Sequence, residues 1–260
     1  MMPVLRPHPI YFRQAVESVL AQTLADLELV IVEDPSETSA AAFLPTDSRI
    51  RHVANPERTS LVDQRNKALT EARGELVAML DADDIAEPTR LEKQAAFLAE
   101  HPEVAIVGSQ LTIIDPDGNV VGSRSYPTEH DSIVAAMTRY NAIAQPSVMA
   151  RRSVLVEAGG YQYRDFPVNE DYELWSRLVA GGAVLANHPE TLLRYRVHPS
   201  GTKSAMLKRM LRATIDVKHK FWRDRMDTRA RARYWAEHAL LGLPASWVYR
   251  LFMFTQYKRT

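Results

Sequence analysis

Cysteine is absent from the 260-residue sequence, which excludes disulfides, thiolate-bound zinc, iron–sulfur clusters and thiol nucleophiles together. Any chemistry must use carboxylates, His, Ser or Thr, Tyr, Lys or a hard metal ion. Glycine is scarce at 10 residues, and the 15 prolines are scattered, so no low-complexity linker exists. No run reaches the roughly 18 apolar residues of a membrane span, and the N-terminus lacks the basic-then-apolar pattern of a secretory signal. A cytoplasmic protein is expected.

What is present is ordinary for a soluble globular chain: 46% hydrophobic and 25% charged residues. The composition supports one compact domain with an appendage. The formal net charge of +0 hides an asymmetry. Residues 1–202 carry 18 basic and 28 acidic side chains, whereas residues 203–260 carry 14 basic and 4 acidic. The body therefore offers carboxylates to a cation, and the tail offers positive charge to phosphates or an anionic surface.

Helical spacing of Phe12, Val16, Val19 and Leu20 predicts a helix over 10–22. The β-branched run 27–34 predicts a buried parallel strand ending in Glu33-Asp34, and 49–55 a second strand. A helix over 61–73, stopped by Gly74, leads into a strand over 75–84 that ends in Asp81, Asp83 and Asp84. Further elements are a helix from Pro88, strands over 104–115 and 120–126, and a strand and helix over 143–162. They are followed by a helix over 168–182 and a strand pair over 183–196. Alternating strands and helices predict an α/β fold with a mixed, mostly parallel sheet flanked by helices. Ligands of such sheets bind beyond the carboxyl ends of the strands, where Asp34 and Asp81 to Asp84 would lie. The lead-in before the first helix is too short for a full central strand, so the first strand is expected to be clipped.

Three carboxylates within four positions repel one another, and a divalent cation would offset that charge. Oxygen ligands suit Mg²⁺ or Mn²⁺, completed by substrate phosphates. A solvated acidic turn that caps the next helix is the other reading of the same residues.

LELVIVEDPS, RNKALTEARGELVAMLDADD, QPSVMARRSVLVEAGGY and NEDYELWSRL, taken in order, resemble glycosyltransferase family 2, the inverting enzymes of GT-A (Rossmann-like) fold. The resemblance runs from about Phe12 to about Ser204. It implies a domain over 1–204 and leaves 205–260 as a basic amphipathic helical tail. It implies Asp34 at the nucleobase, where a carboxylate can accept the imide N–H of uracil. Glu33 and Pro35 depart from the family's usual acid pair and glycine. The resemblance further implies Asp81 and Asp83 at the donor, with Asp83 toward the ribose, and Asp84 at the metal and diphosphate. Arg65 would approach the nucleotide, and His198 would close the shell of a Mn²⁺ or Mg²⁺ ion.

In the same resemblance Asp171 is the general base, with Glu170 and Gln145 on the acceptor side. An Asp at its ordinary pKa of about 3.9 is a poor base at neutral pH, unless burial and neighbouring carboxylates raise it. The implied reaction moves a sugar from a nucleotide-diphosphate sugar, a UDP-sugar being favoured, to a glycan or lipid-linked acceptor. Bacterial surface polysaccharide synthesis is the expected setting. Trp175 falls on the inward stripe of its helix and reads as core.

The tail interleaves Arg and Lys with Met, Leu, Phe and Trp. It reads either as a helix on anionic lipid at the inner face of the cell membrane or as a helix packed on the domain. No nucleic-acid-binding module accompanies the charge. Two other readings remain open. A non-catalytic protein of the same fold would fit the altered Glu33-Asp34-Pro35. A phosphatase of haloacid dehalogenase type would use an Asp pair after a strand, but Asp84 and Ile85 fit its motif poorly.

Overall fold

The computed structural model describes residues 1–162, 168–198 and 203–243. Three short strands, β1 (Met2–Val4), β2 (Leu29–Glu33) and β3 (Ile50–Ala54), form a parallel sheet with β2 in the middle. All five residues of β2 are buried, as a β-branched run covered on both faces requires. The first strand has three residues and is fully used. Beyond it the Met1 amine donates to the Ala78 carbonyl at 2.7 Å, and the Met1 carbonyl accepts from the Leu80 N–H at 3.1 Å. That parallel pattern joins the small sheet to β4 (Leu76–Ala78). The carboxyl ends of β2 and β4 therefore share one edge, which brings Asp34 and the Asp81–Asp84 turn to the same side.

The second sheet has the order β4, β8 (Met149–Arg151), β6 (Val104–Ile114), β9 (Val184–Arg196), β5 (Ile85–Ala86), with β7 (Val120–Arg124) paired to β6. Here only β6 and β9 run parallel; the other pairs are antiparallel. The fold is thus mixed, with β1, β2 and β3 all parallel in the small sheet and β6 and β9 parallel in the larger one. Two predicted elements differ in detail. The strand expected over 75–84 stops at Ala78, because the acids that follow form a turn, and the chain resumes as β5. The strand pair expected over 183–196 is one 13-residue strand, β9. Its register against β6 jumps from His188 to Thr191, so Pro189 and Glu190 bulge out without ending it.

Helices flank the sheets. α1 (Pro9–Leu20) has Pro at its first turn, where the missing N–H costs nothing, and buries Phe12, Ala15 and Val16. α2 (Leu61–Glu71) is capped by Ser60, whose hydroxyl accepts from the Asp63 N–H at 3.1 Å. α3 (Arg90–Glu100), α4 (His130–Met137), α5 (Arg152–Glu157) and α6 (Glu170–Ala180) complete the body.

The basic segment is not a free appendage over its described part. α7 (Lys203–Val217) runs through a π turn at Lys218–Trp222 and then α8 (Thr228–Leu241). Ile215, Val217, Trp222, Met226, Ala230 and Tyr234 join the cluster that holds Trp175, Leu178 and Val179. Trp222 is 1% exposed and donates its indole N–H to the Ser176 hydroxyl at 2.8 Å. Lys218 is wholly buried and donates to both carboxylate oxygens of Glu237. Burial lowers the Lys218 pKa and Glu237 opposes that shift, as for a charge kept inside by its partner. Between Leu211 and Leu241 this segment therefore packs on the domain. The apolar stretch that follows, toward Phe254, lies outside the described residues.

Candidate active site

The strand-end acid of β2, Asp34, is fully buried. Its Oδ1 accepts from the Asn55 amide at 2.7 Å and the Thr59 hydroxyl at 2.9 Å, and Oδ2 accepts from the Thr59 N–H at 2.7 Å. Burial opposes its ionisation, but these bonds outweigh burial and hold the carboxyl below the usual range. Asp34 thus ties the β3–α2 loop to β2, with its carboxylate turned inward. Glu33 is occupied as well, accepting from Ala40 N–H, the Ser39 hydroxyl and the His52 ring.

The turn after β4 holds the other acids. Asp84 is fully buried, and its Oδ1 accepts the backbone N–H of Arg196 at 2.8 Å. Its Oδ2 has no hydrogen-bond partner. Burial first, then Asp81 and Asp83, push its pKa well above the carboxylate range. Asp83 is more open, with 40% of its side chain exposed, and its Oδ2 stands 2.8 Å from His198 Nε2. The structure thus sets His198 against Asp83 rather than against Asp84, with which the sequence reading grouped it. Arg196 fixes this corner. Its guanidinium donates to the carbonyls of Asp83, Asp115 and Pro116 and to Gln14 Oε1, and it stacks 4.4 Å from the Tyr11 ring centroid.

α6 brings the second acidic pair. Arg65, 5% exposed on α2, makes a close ion pair with Glu170 and reaches Asp81 Oδ1 at 3.4 Å. Burial works against its charge, yet Glu170 and then Asp81 keep it firmly protonated. One guanidinium therefore bridges the strand-end acids to the start of α6, where Asp171 follows Glu170. Asp171 accepts from the Tyr172 N–H at 2.7 Å and from the Asn141 amide at 2.8 Å. Burial first, then Glu170, raise its pKa to about 7 against the pull of Arg65. That is where a general base at neutral pH works best.

Of the residues expected on the acceptor side, Glu170 is engaged by Arg65. Gln145, 5% exposed, donates to the Tyr161 hydroxyl at 2.6 Å and keeps its own Oε1 buried without a partner. Gln145 lines a small cavity with Arg65, Asp81 and Met79. Sequence reasoning missed Arg196, Asn141, Tyr161 and Asn169. Asn169 was signalled only by its place before the acid pair. It adopts the left-handed conformation at φ 67° and donates to Met210 O and Thr214 Oγ1 of α7, each at 2.8 Å.

For a divalent cation the donor set fits in kind. Asp84 has an orphaned buried oxygen, and Asp83 and His198 stand at the open side. Among the described residues no three His, Asp or Glu side chains are grouped so as to hold an ion alone. An ion such as Mg²⁺ needs only one or two carboxylates when substrate phosphates complete its shell.

Two carboxylate clusters stand at the carboxyl edge of a mixed sheet, bridged by a buried arginine, in a fold of GT-A type. The chain belongs to glycosyl transferase family 2, whose sequence model matches residues 8–157. It is 31% identical over 206 residues to an uncharacterized glycosyltransferase of Haemophilus influenzae, covering 75% of this chain and 64% of that one. It is 28% identical over 204 residues to the O-antigen biosynthesis glycosyltransferase WbnJ of Escherichia coli, covering 76% and 78% of the two chains. Likewise it is 28% identical over 207 residues to the Escherichia coli UDP-Glc:alpha-D-GlcNAc-diphosphoundecaprenol beta-1,3-glucosyltransferase WfaP, covering 78% of each. The fold is similar to that of S. aureus TarS residues 1–349 in complex with UDP-GlcNAc, with a TM-score of 0.60 at 16% identity over 83% of this chain and 64% of that one. The enzyme reading therefore stands, and the haloacid dehalogenase reading falls with the family match.

Proposed function

We propose that this glycosyltransferase moves a sugar, with inversion, from a UDP-sugar to a hydroxyl of a glycan or lipid-linked acceptor in bacterial surface polysaccharide synthesis. The observation that carries the reading is Arg65, which ties Asp81 to Glu170 and so sets the Asp171 carboxyl, raised to about 7, beside the strand-end acids. Asp171 takes the acceptor hydroxyl proton as the new bond forms, which contributes about 10²- to 10⁴-fold. Arg65 and Asp81 orient the donor at the sheet edge. Asp34 acts on the nucleotide indirectly, by holding the loop at Thr59.

Asp83, Asp84 and His198 would hold a Mn²⁺ or Mg²⁺ ion, with Asp83 and His198 at the open side. The ion, when bound, supplies charge that stabilises the departing diphosphate. The names of WbnJ and WfaP support the polysaccharide setting and the UDP-sugar. Among the described residues no helix is long and apolar enough to cross a membrane. Peripheral contact with anionic lipid on the cytoplasmic side would use the exposed arginines of α8, which include Arg229, Arg231 and Arg233, together with Trp235.

The test is calorimetric titration of a panel of nucleoside diphosphates and UDP-sugars, with and without Mn²⁺, against the full chain and Asp83→Ala. Binding of one nucleotide that needs both the metal and Asp83 is expected. Failure of every nucleotide to bind the folded protein would overturn the reading.

A further inference from the structure

A carboxylate can act as a base only if its free lone pairs are held toward the proton it takes, and Asp171 sits at the first turn of a helix where its side chain could swing. Two residues in a row stitch this turn to the segment that follows α4. The Tyr172 hydroxyl, on a side chain 1% exposed, donates closely to the Met137 carbonyl at the end of α4. Four residues on, the Asn141 amide donates to Asp171 Oδ2 at 2.8 Å. Asn141 Oδ1 is left only a long contact of 3.4 Å from the Ile143 N–H. Its amide is therefore committed chiefly to Asp171, and the Tyr172 anchor sets the register that places it there.

We infer that Asn141 is a positioning residue for the base. Its N–H fixes Oδ2 while the Tyr172 N–H fixes Oδ1, which leaves each oxygen one lone pair for the acceptor hydroxyl. This rests on the reading of Asp171 as the base. The arrangement has the logic of a base oriented by a third group. An Asn is suited to the task, since it donates without adding charge and favours the ionised carboxylate that must accept the proton.

The groups that face Asp171 are Glu170 on its own helix, Arg65 from α2, Tyr161 before α6, Tyr126 after β7 and Asn141 itself. Of these, among the described residues, Asn141 is the uncharged group from outside α6 that donates a hydrogen bond to Asp171. Its removal strips stabilisation from the charged form, so the Asp171 midpoint must move to higher pH.

The experiment follows the carboxyl of Asp171 by ¹³C NMR in the full chain labelled at aspartate, with Asp171→Asn to assign the signal. It is paired with UDP release from UDP-glucose with water as acceptor, across pH 5 to 9. Asn141→Ala is expected to raise the midpoint by about half a pH unit or more, and to move the acid limb of UDP release by the same amount, with UDP affinity unchanged. Asn141→Asp, of the same shape but unable to donate when ionised, is expected to raise it further and controls for misfolding. An unmoved midpoint in both variants, with folded spectra, would overturn the role of Asn141. Full UDP release by Asp171→Asn would instead overturn the base reading, and the positioning role with it.

Discussion

The Asp83 carboxylate and the His198 imidazole lie 115 residues apart in the chain and 2.8 Å apart in space. The contact exists because β9 runs parallel to β6 out to Arg196, whose backbone N–H seizes Asp84 before the chain reaches His198. The two ends of the molecule's acidic corner are thus set by one strand and one backbone hydrogen bond.

Asp83→Ala and His198→Ala should each weaken Mn²⁺-dependent nucleotide binding by about 10-fold or more, the loss seen when groups around a metal are removed. Binding measured without metal should change little. Calorimetry with and without Mn²⁺ separates the two effects, and equal losses in both conditions would contradict a metal role.

Asp171→Asn should lower turnover by about 10²- to 10⁴-fold while leaving donor affinity intact. In the parent enzyme the rate should rise with pH and level off above about 7, since the base works only when ionised. The linkage to stability has the opposite sign. The folded pKa lies above the unfolded value of about 3.9, so protonation favours the folded state at low pH, and that support is lost as pH rises through about 7. Asp171→Asn should therefore melt above the parent at pH 8, and the gap should close toward pH 4.

Arg65→Met leaves Glu170 buried without its partner, and breaking such a pair costs about 3–5 kcal/mol. Arg65→Met with Glu170→Leu should regain most of that stability but not donor binding, because Asp81 still lacks its cation. Urea unfolding reads the first effect and nucleotide titration the second.

Trp222→Ala should cost about 3–5 kcal/mol, through a cavity in the shared core and the loss of the Ser176 hydrogen bond. A cost near zero in urea unfolding would mean that α7 and α8 are an independent appendage after all.

The N-terminal half was legible because its strands are β-branched runs that end in acids, a pattern that marks both the buried strand and the ligand edge. Asp81, Asp83 and Asp84 were visible for the same reason, acids placed at a strand end, whereas Glu170 and Asp171 were legible through the family resemblance, since acids at a helix start are ordinary. Arg65 was legible by position only, since nothing in the helix pattern shows that it turns inward to two carboxylates. Asn141 acts through a contact across 30 residues of sequence and Arg196 through several that span 80 to 182, and no periodicity records such pairings. The integration of the basic segment was hidden by its surface, where Arg and Lys dominate the composition while Trp222 and Lys218 turn inward at a π turn.

The bulge at Pro189 and Glu190 has a consequence for how the chain can change over generations. Residues inserted or lost there would be absorbed outside the ladder, leaving Leu193 to Arg196 in step with β6. A single residue gained or lost between Leu193 and Tyr195 would instead reverse every side chain beyond it. Arg196 would then leave its carbonyl cage and His198 would point away from Asp83. Length variation among descendants of this chain should therefore collect at the bulge and spare Leu193 to Arg196.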